Sequence, residues 1–189
     1  MSTIGAFTQV SIDGFFAGPN GEIDWFKSIE KDDEYEAYSH EQAKSGNSTL
    51  LMGRTTYEMM KSYWPTDAAR KADPEMAGVM NHSPKVVFSK TLQSVDEGPT
   101  WKNVRLLHDI RRDEILELKK QGDITILGSG SIVQQLSNLS LIDEYQLVVI
   151  PVVLGSGKPL FDNVRTMNLR LREARPCGNA VVVARYSPR

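Results

Sequence analysis

Three short segments place small, hydroxylated or basic residues directly after apolar runs: Leu50 to Tyr57 (LLMGRTTY), Val86 to Lys90 (VVFSK) and Ile124 to Val133 (ITILGSGSIV). Each run suits a buried strand. Two of the three then open into a helix, whose first N–H groups lack partners and whose positive dipole end attracts anions. In Gly128-Ser129-Gly130 two of three residues have no Cβ, so the backbone can approach a pyrophosphate closely while the helix starting near Ser131 aims N–H groups at it. The same residues also read as a tight strand-to-helix turn, and their spacing differs from the G-x-G-x-x-G fingerprint. Arg54 at a helix start opposes the dipole unless an anion is present. With Thr55, Thr56, Ser89 and Lys90 expected at the same sheet edge, it fits the 2′-phosphate of NADPH, because Arg offers phosphate a planar fork and Lys a point charge. The alternative for Arg54 is a solvated surface charge. The ligand expected at this edge is a dinucleotide.

A second group lies in the loop Gly14 to Phe26, where Phe15, Phe16, Trp25 and Phe26 are interrupted by Glu22 and Asp24. Apolar walls with a few polar groups describe a small-molecule pocket, and core packing or loop anchoring describes the same aromatics equally well. Asp24 beside Trp25 is either an acid that keeps its proton for delivery after hydride transfer or a turn and capping residue.

These residues need strands and helices in alternation to hold them, and the chain supplies them. Thr3 to Ile12 is rich in β-branched and aromatic residues and ends at the turn pair Asp13-Gly14. Asp32 to Lys44 reads as an amphipathic helix closed by Gly46, and Thr49 to Met52 as a strand. Thr55 and Glu58 have capping-box spacing and predict a helix over Thr56 to Tyr63, stopped by Pro65. Residues 66 to 83 predict a short helix and a loop, broken at Pro74 and Gly78. Strands are expected at Lys85 to Phe88, Val104 to Leu107 and Ile124 to Leu127, with a helix over Arg112 to Gln121 ended by Gly122. Ser131 and Gln134 form a second capping box, for a helix through Asn138 with Ile132, Val133, Leu136 and Leu139 as its apolar positions. Asp143 to Val153 predicts a long strand, and Leu169 to Ala174 with Ala180 to Tyr186 a closing antiparallel hairpin. The pattern predicts one α/β domain over residues 1 to 189: a mostly parallel sheet, flanking helices and an antiparallel C-terminal hairpin, with ligands at the carboxyl ends of the strands.

The 189 residues are 40 % hydrophobic and 24 % charged, with a formal net charge of -2. No basic face is implied, so nucleic acid and anionic membranes are not expected partners. The single Cys177 excludes an intramolecular disulfide, and His40, His82 and His108 lack metal-ligand spacing, so no metal is expected. The opening MSTIGAFTQVSIDG has neither a basic leader nor a long apolar run, and a cytoplasmic protein is the expectation.

LLMGRTTYEMM, VVFSKT and ITILGSGSIVQQL stand in the order and approximate separation of the cofactor-binding segments of dihydrofolate reductase, while TQVSIDGFFAG and IPVVLGSGKPLF resemble the C-terminal reductase domain of the riboflavin-biosynthesis protein RibD. The resemblance covers nearly the whole chain. It implies the dihydrofolate reductase-like fold and NADPH, with Gly53, Arg54, Thr55, Thr56, Ser89 and Lys90 at the adenosine phosphate end. Gly128, Ser129, Gly130, Ser131, Ile132 and Val133 would match the pyrophosphate and nicotinamide-ribose segment. Phe16, Trp25, Phe26 and Tyr57 are the expected substrate pocket and Asp24 the expected proton donor.

The implied activity is reduction of a small pyrimidine- or pteridine-like molecule, similar to 5-amino-6-(5-phosphoribosylamino)uracil reductase, and a homodimer is the implied assembly. Phe7 and Leu127 occupy the positions where riboflavin-pathway members commonly have lysine and glutamate, and Ala37 that of the pterin-binding carboxylate of dihydrofolate reductase, with Glu34, Glu36 and Glu41 close by. These departures leave a true dihydrofolate reductase, or a dinucleotide-binding sensor or structural homologue, as alternatives. No His-x-Glu with a Cys-x-x-Cys partner is present, hence no deaminase signature.

Overall fold

Apolar residues alternating at period two set the centre of the sheet. In β1 (Ile4–Ser11) the side chains of Ile4, Ala6, Thr8 and Val10 are 0 %, 1 %, 2 % and 5 % exposed, whereas Gly5, Phe7 and Gln9 between them are only partly buried. The computed structural model describes residues 1–28, 32–44, 48–95, 97–178 and 181–189. After β1 come β2 (Phe15–Ala17), a 3-10 turn (Asp24–Ser28), α1 (Asp33–Lys44), β3 (Thr49–Gly53), α2 (Arg54–Tyr63), α3 (Asp67–Ala72) and α4 (Pro74–His82). The chain continues through β4 (Lys85–Phe88), β5 (Val104–Leu107), α5 (Arg112–Gln121), β6 (Ile124–Leu127), α6 (Gly130–Asn138), β7 (Glu144–Ile150), β8 (Lys158–Pro159), β9 (Leu169–Cys177) and β10 (Val181–Pro188).

Eight strands form one sheet in the order β5-β4-β3-β6-β1-β7-β10-β9. The six from β5 to β7 run parallel, and β10 pairs antiparallel with both β7 and β9, so the hairpin forms one edge. β2 and β8 pair separately as a small antiparallel ribbon. Helices cover both faces, as parallel strands require. On one face α5 and α6 bury Ile115, Leu118, Ile132, Val133 and Leu136 against Ile4, Ala6, Leu51, Val86 and Ile126. The other face holds two separate clusters, one under α1 around Tyr38, Val148, Ile150 and Val183, the other under α2 around Leu50, Met52, Tyr57, Val87 and Leu127. Phe7 packs against both. Among the described residues no helix is long and apolar enough to cross a membrane.

Residues 66 to 83 depart from expectation by forming two helices. Pro74 opens α4 at its first position, where its missing N–H costs nothing, and Asp73 caps it by accepting from Met76 N at 2.9 Å. Thr66 caps α3 through Ala69 N at 3.1 Å. The strand expected to run to Val153 ends at Ile150. Gly46, Asn179 and Ala180, named above for a helix end and the hairpin, lie outside the described residues.

Lys85, 1 % exposed, ties three chain segments together. Its Nζ donates to the carbonyls of Asn81 (3.0 Å), Ser83 (2.7 Å) and Lys102 (3.1 Å) and lies 4.4 Å from the centroid of the Trp101 ring. The first two acceptors belong to the carboxyl end of α4, where the dipole favours a cation. Burial pulls the Lys85 pKa from 10.5 down to about 8. Between those values the unfolded chain keeps a proton that the folded chain has released, so raising the pH there favours folding. Lys85→Met should cost about 1–3 kcal/mol at neutral pH because the carbonyls lose their donor. In urea unfolding, the stability gap between wild type and variant should widen as pH rises above 8 toward 10.5; a narrowing gap would contradict the assignment.

Candidate functional site

Strands β4, β3 and β6 are consecutive neighbours, and their registers (Gly53↔Phe88, Leu51↔Ile126) bring the three junctions singled out above into one row at the carboxyl edge. Both helices that leave this row start earlier than expected. α2 begins at Arg54 after Gly53 in extended conformation, and α6 at Gly130 after Ser129 in the left-handed region (φ 55, ψ 61). Neither helix has a side-chain cap.

The two capping boxes are therefore not formed, and the hydrogen bonds explain why. Glu58 accepts from Arg54 Nε at 2.7 Å, and Gln134 Nε2 donates to the carbonyls of Pro159 and Leu160, each at 3.1 Å. The Ser129 hydroxyl turns away from its own helix, accepts from Gly53 N at 2.8 Å and lies 2.9 Å from Thr56 Oγ1. One side chain thus stitches the two helix starts together. Gly128, at φ 52, donates its N–H to the carbonyl of Phe7 at 3.2 Å and anchors the bend to β1. Two consecutive left-handed residues reverse the chain within a single turn, and Ile132 N and Val133 N already close onto Ser129 O at 2.8 and 3.2 Å. Thr8, next to Phe7, carries a buried hydroxyl with no hydrogen-bond partner among the described residues.

The residues expected around the phosphates are brought together, with changed roles. Arg54, half exposed, donates from Nε to Glu58 and from a terminal guanidinium nitrogen to Thr91 Oγ1 at 3.0 Å. This contact identifies Thr91, which the sequence reading missed; its only signal is a second hydroxyl two residues past Ser89. Ser89 is 7 % exposed, and its hydroxyl accepts from Thr91 N (3.3 Å) and Leu92 N (3.0 Å), so it shapes the turn. Lys90 and Thr55 are exposed at the same edge, while Ile132 and Val133 are buried beneath the start of α6.

The expected aromatic pocket is divided. Trp25 and Phe26 pack edge to face with centroids 4.2 Å apart and join the cluster under α1. Phe16 goes to the opposite side and covers Gly130: a Cβ there would stand 2.3 Å from the Phe16 ring. Tyr57 is 4 % exposed and belongs to the core under α2, beside Trp101. Asp24 heads the 3-10 turn as an exposed residue.

What lies between the two clusters is the partly covered row Gly5, Phe7 and Gln9 on the interior strand β1. The acids of α1 do not reach it. Glu34 accepts from Gly178 N at 2.8 Å, Asp32 caps α1 through Tyr35 N at 2.9 Å, and Glu36, Ala37 and Glu41 are exposed.

A mostly parallel sheet with an antiparallel C-terminal hairpin and this row of junctions defines a dihydrofolate reductase-like α/β protein. The chain belongs to the RibD C-terminal domain family, whose model matches residues 2–183. It is 32 % identical over 180 residues to the uncharacterised YyaP of Bacillus subtilis (strain 168), covering 94 % of this chain and 90 % of YyaP. Solved structures share the fold. A Shewanella sp. PV-4 protein assigned to riboflavin biosynthesis matches with a TM-score of 0.75 at 23 % identity over 99 % of both chains. Enterococcus faecalis dihydrofolate reductase complexed with NADP(H) matches with a TM-score of 0.58 at 15 % identity, over 98 % of this chain and 96 % of the other.

The stitch is open to test. Ser129→Ala should lower stability by about 1–2 kcal/mol, since Gly53 N–H loses its acceptor. Gly130→Ala should cost about 1–3 kcal/mol through overpacking against Phe16. Adding Phe16→Ala should recover part of that loss in a double-mutant cycle, and strictly additive losses would mean that the two residues do not touch.

Proposed function

We propose that this chain is an NADPH-dependent reductase acting on a polarised C=N or C=O of a small pyrimidine- or pteridine-like molecule. The observation that carries the reading is the pair of helix starts at the ends of neighbouring strands β3 and β6, stitched by Ser129 and both without a side-chain cap. First-turn N–H groups of two uncapped helices that start at one sheet edge form a field suited to a pyrophosphate. The residues present fit the group at Gly128, where a Cβ would meet nothing closer than Thr56 Oγ1 at 3.8 Å and the backbone is bare at the bend, while Phe16 fills the space beside Gly130. Residues 128 to 131 would hold the pyrophosphate and adjoining ribose. Gly53, Arg54, Thr55 and Thr56 would hold the adenosine phosphate end, with Lys90 and Thr91 at its side. When bound, NADPH supplies the hydride.

The chain's own work is to place an acceptor ring on Phe7 between the α1 and α2 clusters and to keep water from its face. Trp25 and Phe26 wall that space on the α1 side. Asp24, exposed at the head of the turn that carries them, or a water beside it, supplies the proton from solvent.

Arg54→Ala tests the coenzyme assignment. NADPH affinity should fall at least about tenfold, worth about 1.4 kcal/mol, with NADH affinity little changed. Equal loss of both would contradict a phosphate role for Arg54. NADPH oxidation with a panel of pyrimidine ribosylamines, dihydropterins and quinones separates a reductase from a coenzyme-binding homologue, which would bind NADPH tightly and turn over none of them.

A further inference from the structure

Two glutamine–tyrosine pairs seat α1 on the sheet, and they differ in depth. Gln146 on β7 donates to Tyr38 OH at 2.5 Å, and these residues are 8 % and 2 % exposed. Gln9 on β1 donates to Tyr35 OH at 3.1 Å, and both of these are only partly buried. The sealed pair anchors the helix. The open pair lies two residues past Phe7, on the same face of β1.

Resting on the reductase reading above, we infer that Gln9, oriented by Tyr35, is the specificity-determining residue of the proposed ring site and selects a neutral lactam edge over an amidine edge. A carboxamide has two N–H groups and two acceptor lone pairs, and the bond to Tyr35 takes one N–H. The remaining N–H and the carbonyl oxygen match the C=O and N–H of a lactam, two hydrogen bonds in opposite directions. An amidine edge presents donors at both positions once protonated, and a carboxylate is its natural partner. Among the described residues α1 sends none to that face of β1: Glu34 is held by Gly178 N, Asp32 caps the helix, and Asp33, Glu36 and Glu41 are exposed. A protonated ring seated beside Gln9 would lose water without gaining a counter-charge from α1. Burial pushes the Tyr35 pKa up, which keeps the phenol neutral and its grip on the carboxamide intact.

The probes are pterin, which carries the lactam edge, and 2,4-diaminopteridine, which carries the amidine edge on the same ring system. Each is titrated calorimetrically into the full chain, with and without saturating NADP+. Wild type should bind pterin at least about tenfold more tightly, and Gln9→Glu should reverse the order. Gln9→Met, similar in length but without an amide, should abolish the preference. Thermal melts show whether each variant is folded, and Gln9→Met supplies the test should the buried charge of Gln9→Glu unfold the chain. An unselective wild type, an unchanged order in both variants, or failure to bind either pteridine would overturn the role of Gln9 while leaving the coenzyme reading intact. Failure of NADP+ to bind would count against that earlier reading alone, because pteridine selectivity is also read without it.

Discussion

A hydroxyl shared between two helix starts organises the carboxyl edge of this molecule. Ser129 occupies a left-handed conformation that costs an ordinary residue on the order of 1 kcal/mol, and it holds that conformation while its oxygen meets Gly53 N and Thr56 Oγ1. Because β3 and β6 are parallel neighbours, their following helices start at the same sheet edge, and the shared hydroxyl ties those starts together. Neither helix has a side-chain cap, and Arg54 at the start of α2 turns to Glu58 and Thr91.

The opposite side of the sheet is built on another constraint. An interior strand with helices on both faces is covered on both, and here the α1 and α2 clusters meet at Phe7, which packs against each. Each cluster is held on its own side: Tyr38 and Gln146 lock α1 in place, and Tyr57 with Trp101 packs under α2.

Most of the architecture was legible in the sequence. The strands ending at Phe88, Leu107 and Leu127, and α5 with its closing Gly122, follow from apolar runs punctuated by glycine and polar residues. What failed was local hydrogen bonding. Thr55-x-x-Glu58 and Ser131-x-x-Gln134 have the spacing of capping boxes, but Arg54 takes Glu58 and the β8 segment takes Gln134. Gln134 goes to a tertiary partner that no pattern along the chain shows, whereas Glu58 goes to Arg54 one turn back in the same helix. The aromatic loop failed for the same kind of reason: Phe16 and Trp25 are nine residues apart in one loop that crosses the sheet edge, so they end on opposite faces. Phe7 stood out only as a departure from the family pattern, and Gln9 carried no signal, since an isolated glutamine in a strand reads as a surface residue until its tyrosine is found above it.

β1 serves two masters on its two sides. A change at Ile4, Ala6 or Val10 is felt by the core beneath α5 and α6, whereas a change at Phe7 is felt by the two smaller clusters it joins on the other face. Alternate residues of one strand therefore answer to separately packed layers, so a substitution on one side need not disturb the other.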